Sequence, residues 1–502
     1  MGILTTFKDW FGNDWGVHPD DRKRPAADAA VRVMPVPERL WLPLQQHLGA
    51  PARPVVLVGQ RVKKGQLLAE AQGAVSAPVH APTSGTVAAI AEITAPHPSG
   101  LTLPAIVVDA DGADEWGERV GCADPFALAP DEIGRRVAAA GVVGLGGAAF
   151  PSSVKLAGAA RAGVATLIVN GSECEPYLSC DDRLMRDAAA AIVDGIRIMR
   201  HASGAARVLV GIEDNKPEAL AAMAAAAASC AEIRVCRVPA RYPMGSEKQL
   251  IQALSGIEVP ADSRPADVGV IVHNVGTALA VRAAIRDGQP LISRLLTVNG
   301  GCVVAPGNIE VRLGTLAADV LAFAGGLHGD GLGLARRLLG GPMMGMQIPH
   351  WRVPVVKGTS GILALAADEA AAGDADPCIR CASCVRACPV GLLPLEMSAR
   401  IRNDALDAAA ALGLADCIAC GCCAYVCPSR IPLVQYFQHA KGELAARERA
   451  RLRTDATRKL AAQRQERLAR EASEKAAAAA RRKAERAAQQ SAAEKLVQGE
   501  PA

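Results

Sequence analysis

The alternation of apolar and polar positions changes rhythm several times along the chain, and each change predicts a different kind of element. Residues 1–30 are polar and turn-rich. From Val55 to Ile90 short apolar runs alternate with polar positions, as in PVVLVGQRVKKGQLLAEA and SAPVHAPTSGTVAAI. The Gly59-Gln60 and Gly65-Gln66 pairs and the APTSG stretch read as turns, so the region predicts short strands in a small all-β fold. From Asp131 the pattern alternates between helices and buried strands. Asp131–Ala140 predicts a helix that stops at Gly141. Thr166–Val169, Arg207–Ile212, Ile233–Val238 and Val268–His273 are apolar runs separated by Ala-rich helical stretches. That alternation predicts a mostly parallel sheet covered on both faces. Residues 296–326 return to short strands with one helix, and GGPMMG (Gly340–Gly345) leads into a linker. Beyond Asp368 the chain is dense in cysteine, and after Lys441 it becomes charged and alanine-rich.

The Val55–Ile90 pattern resembles biotinyl/lipoyl-type barrel-sandwich domains. Those carriers hold a swinging cofactor on a hairpin-tip lysine, and no lysine occurs between Lys64 and Lys155. The domain is therefore expected to be a scaffold. The glycine-rich, aromatic-poor composition (48 Gly, 3% aromatic) predicts cores of small aliphatic side chains. A net charge of +4 is too small to indicate a nucleic-acid binder. It is unevenly spread: residues 441–502 hold 16 Lys and Arg against 9 Asp and Glu, a net +7, leaving −3 for the rest. The tail reads as a solvated helix with i,i+4 charge pairs, or as a contact for anionic lipid or an acidic surface. The most apolar window, Val268–Val281, is interrupted by His273, Asn274 and Gly276, so membrane association is expected to be peripheral.

Fifteen cysteines stand out, and the chain opens MGILTTFKDWFGNDWG without signal-peptide character. A reducing compartment, with metal rather than disulfides, is the expectation. Cys378, Cys381, Cys384 and Cys388 form a C-x2-C-x2-C-x3-C-P run, which recurs as Cys417, Cys420, Cys423 and Cys427 before Pro428. Three thiolates on one tight loop reach three corners of a cubane, and the fourth ligates the other cluster in two-cluster ferredoxins. The expected sets are Cys378, Cys381, Cys384 with Cys427, and Cys417, Cys420, Cys423 with Cys388. Structural zinc is the competing reading, and the doubled run argues for two [4Fe–4S] clusters. Cys422 is one residue out of register and is read as packing. Cys122, Cys180, Cys230, Cys236 and Cys302 read as ordinary free thiols; Cys174 lies in a motif.

Val143–Lys155 (VGLGGAAFPSSVK) places glycines where a backbone can approach a phosphate or a flavin ring. It is not a Rossmann fingerprint, and alone it reads equally as a turn. Three further stretches follow predicted strands: Asn170–Tyr177 (NGSECEPY), Tyr242–Lys248 (YPMGSEK) and His273–Thr277 (HNVGT). Each puts polar groups at a strand's carboxyl end, where α/β sheets bind ligands.

Together these stretches resemble the flavin-bearing, NADH-oxidising subunit of respiratory NADH dehydrogenases. Over nearly the whole chain the resemblance is to the RnfC family, a subunit of the Rnf (Rsx) ion-translocating oxidoreductase complexes. It extends to G-V-H-P (Gly16–Pro19), V-H-A-P-T-S-G-T (Val79–Thr86), E-C-E-P-Y, D-D-R-L-M (Asp181–Met185), GGPMMG and the ferredoxin pair. The resemblance implies FMN, with NAD(H) as substrate. Gly144, Gly146, Gly147, Lys155, Asn170, Asn274 and Thr277 would hold the flavin. Glu173 and Glu175 would lie near flavin or nicotinamide, and Phe150 would stack on or wall the site. A surface ion pair is the plain alternative for Lys155. Leu145, Ala149, Ser246 and Gly276 depart from the NADH dehydrogenase motifs, which have Arg, Gly, Glu and Glu there.

The implied organisation is multidomain α/β plus β. It comprises an N-terminal segment (1–30), a barrel-sandwich-like domain (31–122) and an α/β flavin/NADH-type domain (123–290). A β-grasp module (291–345), a two-cluster ferredoxin domain (368–440) and a helical charged tail (441–502) follow. The implied function is a peripheral electron-input subunit on the cytoplasmic face of the bacterial inner membrane. Its partners would be integral membrane and other redox subunits, with ferredoxin reached indirectly and nucleic acid excluded. A soluble cobalamin-reductase-type relative, or an electron-relay adaptor without NADH chemistry, are the alternatives. No side-chain acid or nucleophile is required, since a flavin carries the hydride chemistry.

Overall fold

The computed structural model describes residues 15–370 and 373–499; residues 1–14, the first part of the expected N-terminal segment, lie outside them. The chain divides into two units, residues 1–396 with 416–434 and residues 397–415 with 435–502.

In the first unit the expected small all-β region is built from two antiparallel sheets. One orders Arg39–Pro43, Thr102–Ala110, Gly85–Thr94 and Arg61–Val62; the other orders Arg53–Pro54, Leu67–Glu70 and Val79–His80. Lys64, the last lysine before Lys155, is buried: its ammonium meets Asp114 at 2.6 Å and lies 4.5 Å from the Trp116 ring centroid.

The α/β region carries a four-stranded parallel sheet in the order Ile233–Val238, Arg207–Glu213, Thr166–Gly171, Val270–Asn274. Successive side chains of a strand point to opposite faces. Leu167 and Val169 enter one core with Ile192, Ile196 and Val281, and Ile168 enters another with Leu250 and Ile251. Burial on both faces is why these strands read as apolar runs without alternation. The long helix Cys180–Ser203 packs closely on the helix Val275–Arg286 because Gly195 lacks a side chain. A Cβ there would stand 2.0 Å from the Ala278 carbonyl.

The strands of the expected β-grasp region take part in a wider sheet. This mixed sheet runs Arg32–Val33, Gly307–Arg312, Ser293–Asn299, Gly361–Ala366, Leu334–Leu339, Met346–Gln347. The stretch after Gly345 is therefore not only a linker, since Gly361–Ala366 pairs in parallel with Ser293–Asn299. Leu296, Val298, Ile309 and Ile362 share one core with Leu42, Val87 and Ile106 of the all-β region, so the two expected modules fold around common packing.

The two cysteine runs form matching turns. Arg380 and Ala382 in one, and Ala419 and Gly421 in the other, adopt positive φ, and each run leads into a short helix, Ser383–Arg386 or Cys422–Tyr425. The second unit contains all but the first two residues of the long helix Leu433–Gln498, whose side chains from Ala445 to Lys495 are almost all exposed. No helix among the described residues is long and apolar enough to cross a membrane.

Candidate flavin and iron–sulfur site

The glycine loop lies between the helices Pro130–Ala139 and Ser152–Ala162. The Gly144 amide donates to the Phe150 carbonyl at 2.8 Å, closing the loop on itself. Gly146, Gly147 and Ala148 are exposed while Leu145 and Ala149 are buried. At Gly147, with φ +119°, an added Cβ would meet nothing within 4 Å, whereas at Gly146 it would press on Asn274 at 3.3 Å. The loop thus presents bare backbone to open space on one side and rests on Asn274 on the other. Such a surface fits a phosphate or a flat ring approaching the main chain.

The loop is held from below. The Leu145 amide donates to the Thr277 hydroxyl at 2.9 Å, and the Leu145 carbonyl accepts from Arg294 at 3.2 Å. Thr277 is fully buried, so it supports the loop rather than lining the open face. Arg294 is buried as well, and burial lowers its affinity for a proton. Ala149 holds φ +48°, a left-handed value in which glycine is more comfortable, at the position where the NADH dehydrogenase motif has glycine.

Asn274 ends its strand and caps the next helix, its Oδ1 accepting the Gly276 amide at 2.8 Å. Its Nδ2 donates to Asp181 at 2.5 Å. Burial, then the neighbouring Glu173 carboxylate, pushes Asp181 up to about 7. Glu173 accepts the Asp181 and Asp182 amides at 2.7 and 3.0 Å, anchoring the start of the Cys180–Ser203 helix. Donor atoms of Glu173, Cys180 and Asp181 lie within 4.8 Å of one another. Gly146, Asn274, Asp181 and Glu173 therefore form one connected group at the strand ends.

Other expected residues are placed differently. Asn170 makes an Asx turn to the Ser172 amide and donates to the Gly245 carbonyl at 2.8 Å, joining two of the motifs. Glu175 is half-buried, and its carboxylate accepts the Met343 and Met344 amides at 3.0 and 2.8 Å, tying E-C-E-P-Y to GGPMMG. Burial raises its pKa to about 7. Lys155 donates to Glu247 at 2.7 Å and to the Val272 carbonyl at 3.1 Å, so its ammonium is engaged in an ion pair. Phe150 is half-buried at the end of the glycine loop. Sequence reasoning does not single out Lys23, Asp181, Tyr242 or Arg294 individually. Asp181 and Tyr242 at least belong to recognised motifs, but nothing in the sequence marks Lys23 or Arg294.

The structure brings Cys427 to the first cysteine loop and Cys388 to the second. Burial, with the neighbouring Cys381, Cys427 and Cys378 charges, holds the Cys384 thiol above its usual range. Burial, with Cys420 and Cys417, does the same for Cys388. In each loop a main-chain amide turns toward a ligand sulfur, Arg380 N to Cys378 Sγ and Ala419 N to Cys417 Sγ, both at 3.4 Å. Amide-to-sulfur contacts of this kind stabilise thiolate ligands of a cluster, so the residues present fit two clusters. The two sites differ in exposure. Cys378 and Cys381 are exposed, whereas Cys420 and Cys423 are buried. Cys422 is fully buried with Val17, Tyr242, Ala387 and Cys420, as its packing role requires.

A glycine loop at the strand ends of a parallel sheet, with two cysteine loops in the same unit, defines a flavin and iron–sulfur oxidoreductase subunit. Four family models agree. They are the RnfC barrel sandwich hybrid domain over residues 12–113, the Nuo51 FMN-binding domain over 137–283, the SLBB domain over 295–347, and a 4Fe-4S dicluster domain over 377–431. The RnfC-type subunit of the ion-translocating oxidoreductase complex from Rhodobacter capsulatus is 50% identical over 434 residues, 86% of this chain and 83% of the relative. The same subunit from Pseudomonas aeruginosa is 47% identical over 442 residues, 88% of this chain and 56% of the relative. That from Salmonella gallinarum is 44% identical, over 86% of this chain and 64% of the relative. The chain belongs to the RnfC family of ion-translocating oxidoreductase complex subunits.

Proposed function

We propose that the chain takes electrons from NADH at the glycine loop and passes them to partner subunits through two clusters in a fixed order. The inner cluster is the one on Cys388, Cys417, Cys420 and Cys423; the outer is the one on Cys378, Cys381, Cys384 and Cys427. One observation carries this order. The Tyr242 hydroxyl, from the loop that also holds Gly245 against Asn170, donates to the Cys420 carbonyl at 2.7 Å, while Cys378 and Cys381 face solvent.

FMN, when bound, would supply hydride acceptance from NADH and the conversion from two-electron to one-electron transfer that a pair of clusters requires. The protein's part is positional. Gly146 to Ala148 offer backbone to the flavin, Asn274 and Thr277 hold that backbone, and Glu173 fixes the loop that follows Asn170. Asp181, bonded to Asn274 and with its pKa near 7, is a protonatable group in this arrangement. The outer cluster would hand electrons to integral membrane and other redox subunits, reaching ferredoxin indirectly. Peripheral attachment at the cytoplasmic face of the bacterial inner membrane follows from that role.

Anaerobic preparations should contain one flavin and eight irons per chain and should bleach at both flavin and cluster wavelengths on adding NADH. Cluster absorbance without flavin and without NADH bleaching would reduce the chain to an electron relay.

A further inference from the structure

The G-V-H-P motif has no part in the chemistry above, yet its residues and those just after it bond to three separate loops. The Gly16 amide donates to the Ala387 carbonyl at 3.0 Å, next to the inner-cluster ligand Cys388. Val17 and Tyr242 exchange both of their main-chain hydrogen bonds at 2.9 Å, and the His18 ring lies 3.1 Å from the Ala240 carbonyl. Further along, the Asp21 carbonyl accepts the Tyr177 amide at 2.7 Å. Lys23, buried, then donates to the carbonyls of Glu173, Glu175 and Leu178 at 2.9, 2.9 and 2.5 Å.

Those three loops are the ones that join the strand-end group to the inner cysteine loop. Glu173–Leu178 continues from Asn170, the Tyr242–Gly245 turn is bonded to Asn170 and to Cys174, and Ala387 and Cys420 border the inner cluster. Val17, Tyr242, Ala387, Cys420 and Cys422 also share one small buried core. The fit is close: Gly16 has φ +84°, and a Cβ there would stand 2.4 Å from the Tyr242 carbonyl oxygen. A main-chain oxygen cannot yield as a flexible side chain can, so any larger residue pushes the segment off Tyr242.

We infer that Gly16–Lys23 is a clasp that holds the inner-cluster loop at a fixed separation from the flavin-side loops. Its residues are positioning residues, acting through Tyr242 and the Glu173–Leu178 loop. The inference rests on the electron order proposed above.

Gly16→Ala tests it, with Gly59→Ala as the control. Gly59 has nearly the same φ, +86°, but an added Cβ meets nothing within 4 Å, so backbone strain is matched and the clash is not. Val17→Pro, which deletes the amide donated to Tyr242, is the second variant. In the loaded chain, hydrogen exchange at Tyr242–Gly245 and Cys417–Cys423 should rise about tenfold in Gly16→Ala and Val17→Pro, and stay unchanged in Gly59→Ala. Under single turnover with NADH, flavin reduction should keep its rate while inner-cluster reduction slows about tenfold, because a small displacement of reacting groups is costly. Exchange equal to that of Gly59→Ala would overturn the clasp, as would flavin and cluster reduction slowing in step. If the unmodified chain bound no flavin, the electron-input reading would fall, while the exchange comparison would still decide whether the clasp exists.

Discussion

The unmodified protein should gain stability between pH 7 and pH 10, and replacing Lys357 with methionine should abolish that rise. Lys357 is 1% exposed, and its Nζ donates to the carbonyls of Pro78 and Gly141 at 2.7 Å each, joining the all-β region to the residue that ends the helix before the glycine loop. Burial lowers its pKa from 10.5 to about 7. Every tenfold loss of proton affinity is worth about 1.36 kcal/mol, so carrying the charged ammonium inside costs on the order of 5 kcal/mol. The unfolded chain holds that proton up to about pH 10.5 and the folded chain releases it near 7, so the unfolded state binds more protons throughout this window. Stability must therefore rise with pH there, and below pH 7 the full cost is present. His47 and His80, which face Lys357, are held below their usual range by burial and by its charge; they titrate outside the window. The variant removes the charge and leaves two carbonyls without their donor, a loss of about 1–3 kcal/mol each. Urea unfolding at pH 6.5, 8 and 9.5 checks the argument. The variant should be close to the unmodified protein at pH 6.5 and several kcal/mol less stable at pH 9.5. A difference that does not change with pH would refute the reasoning.

Three other outcomes follow from the site. Cys384→Ala should remove the outer-cluster EPR signal while leaving hydride transfer to flavin intact; loss of flavin as well would refute the modular order. Gly147→Val, at φ +119°, carries about 1–3 kcal/mol of backbone strain and fills the open face of the loop, so flavin content should fall while iron content holds. Glu175→Ala leaves the Met343 and Met344 amides without an acceptor, at about 1–3 kcal/mol each, and should raise hydrogen exchange across Gly340–Gly345 by tenfold or more.

The legible parts of this molecule are those whose physics is local. The parallel strands announce themselves because both faces are buried, as Leu167, Ile168 and Val169 show, and the cysteine loops because a cubane dictates spacing within a few residues. Gly361–Ala366 reads as part of a linker because it pairs in parallel with a distant strand, Ser293–Asn299, on one side and with Leu334–Leu339 on the other, and neither pairing leaves a local turn signal. Arg39–Pro43 and Thr102–Ala110 lie outside the stretch whose alternation suggests strands, yet they complete its four-stranded sheet. The buried cations are the least visible. Lys23, Arg294 and Lys357 satisfy their donors with carbonyls from distant loops, and a charged residue gives no sign in sequence that such carbonyls await it. For the same reason the sequence gives no sign that the Glu173 and Glu175 carboxylates accept main-chain amides of residues further along the chain.

On the proposed electron order, the unequal burial of the two cysteine loops should also set the order in which the protein ages in air. Oxidants reach sulfur in proportion to its exposure, and Cys378 and Cys381 stand in solvent where Cys420 and Cys423 do not. A sample left under oxygen should lose its exit while its intake still works. It would go on consuming NADH with small dyes as acceptors after it has stopped serving its partners, so a dye assay alone would certify as healthy a protein already disconnected.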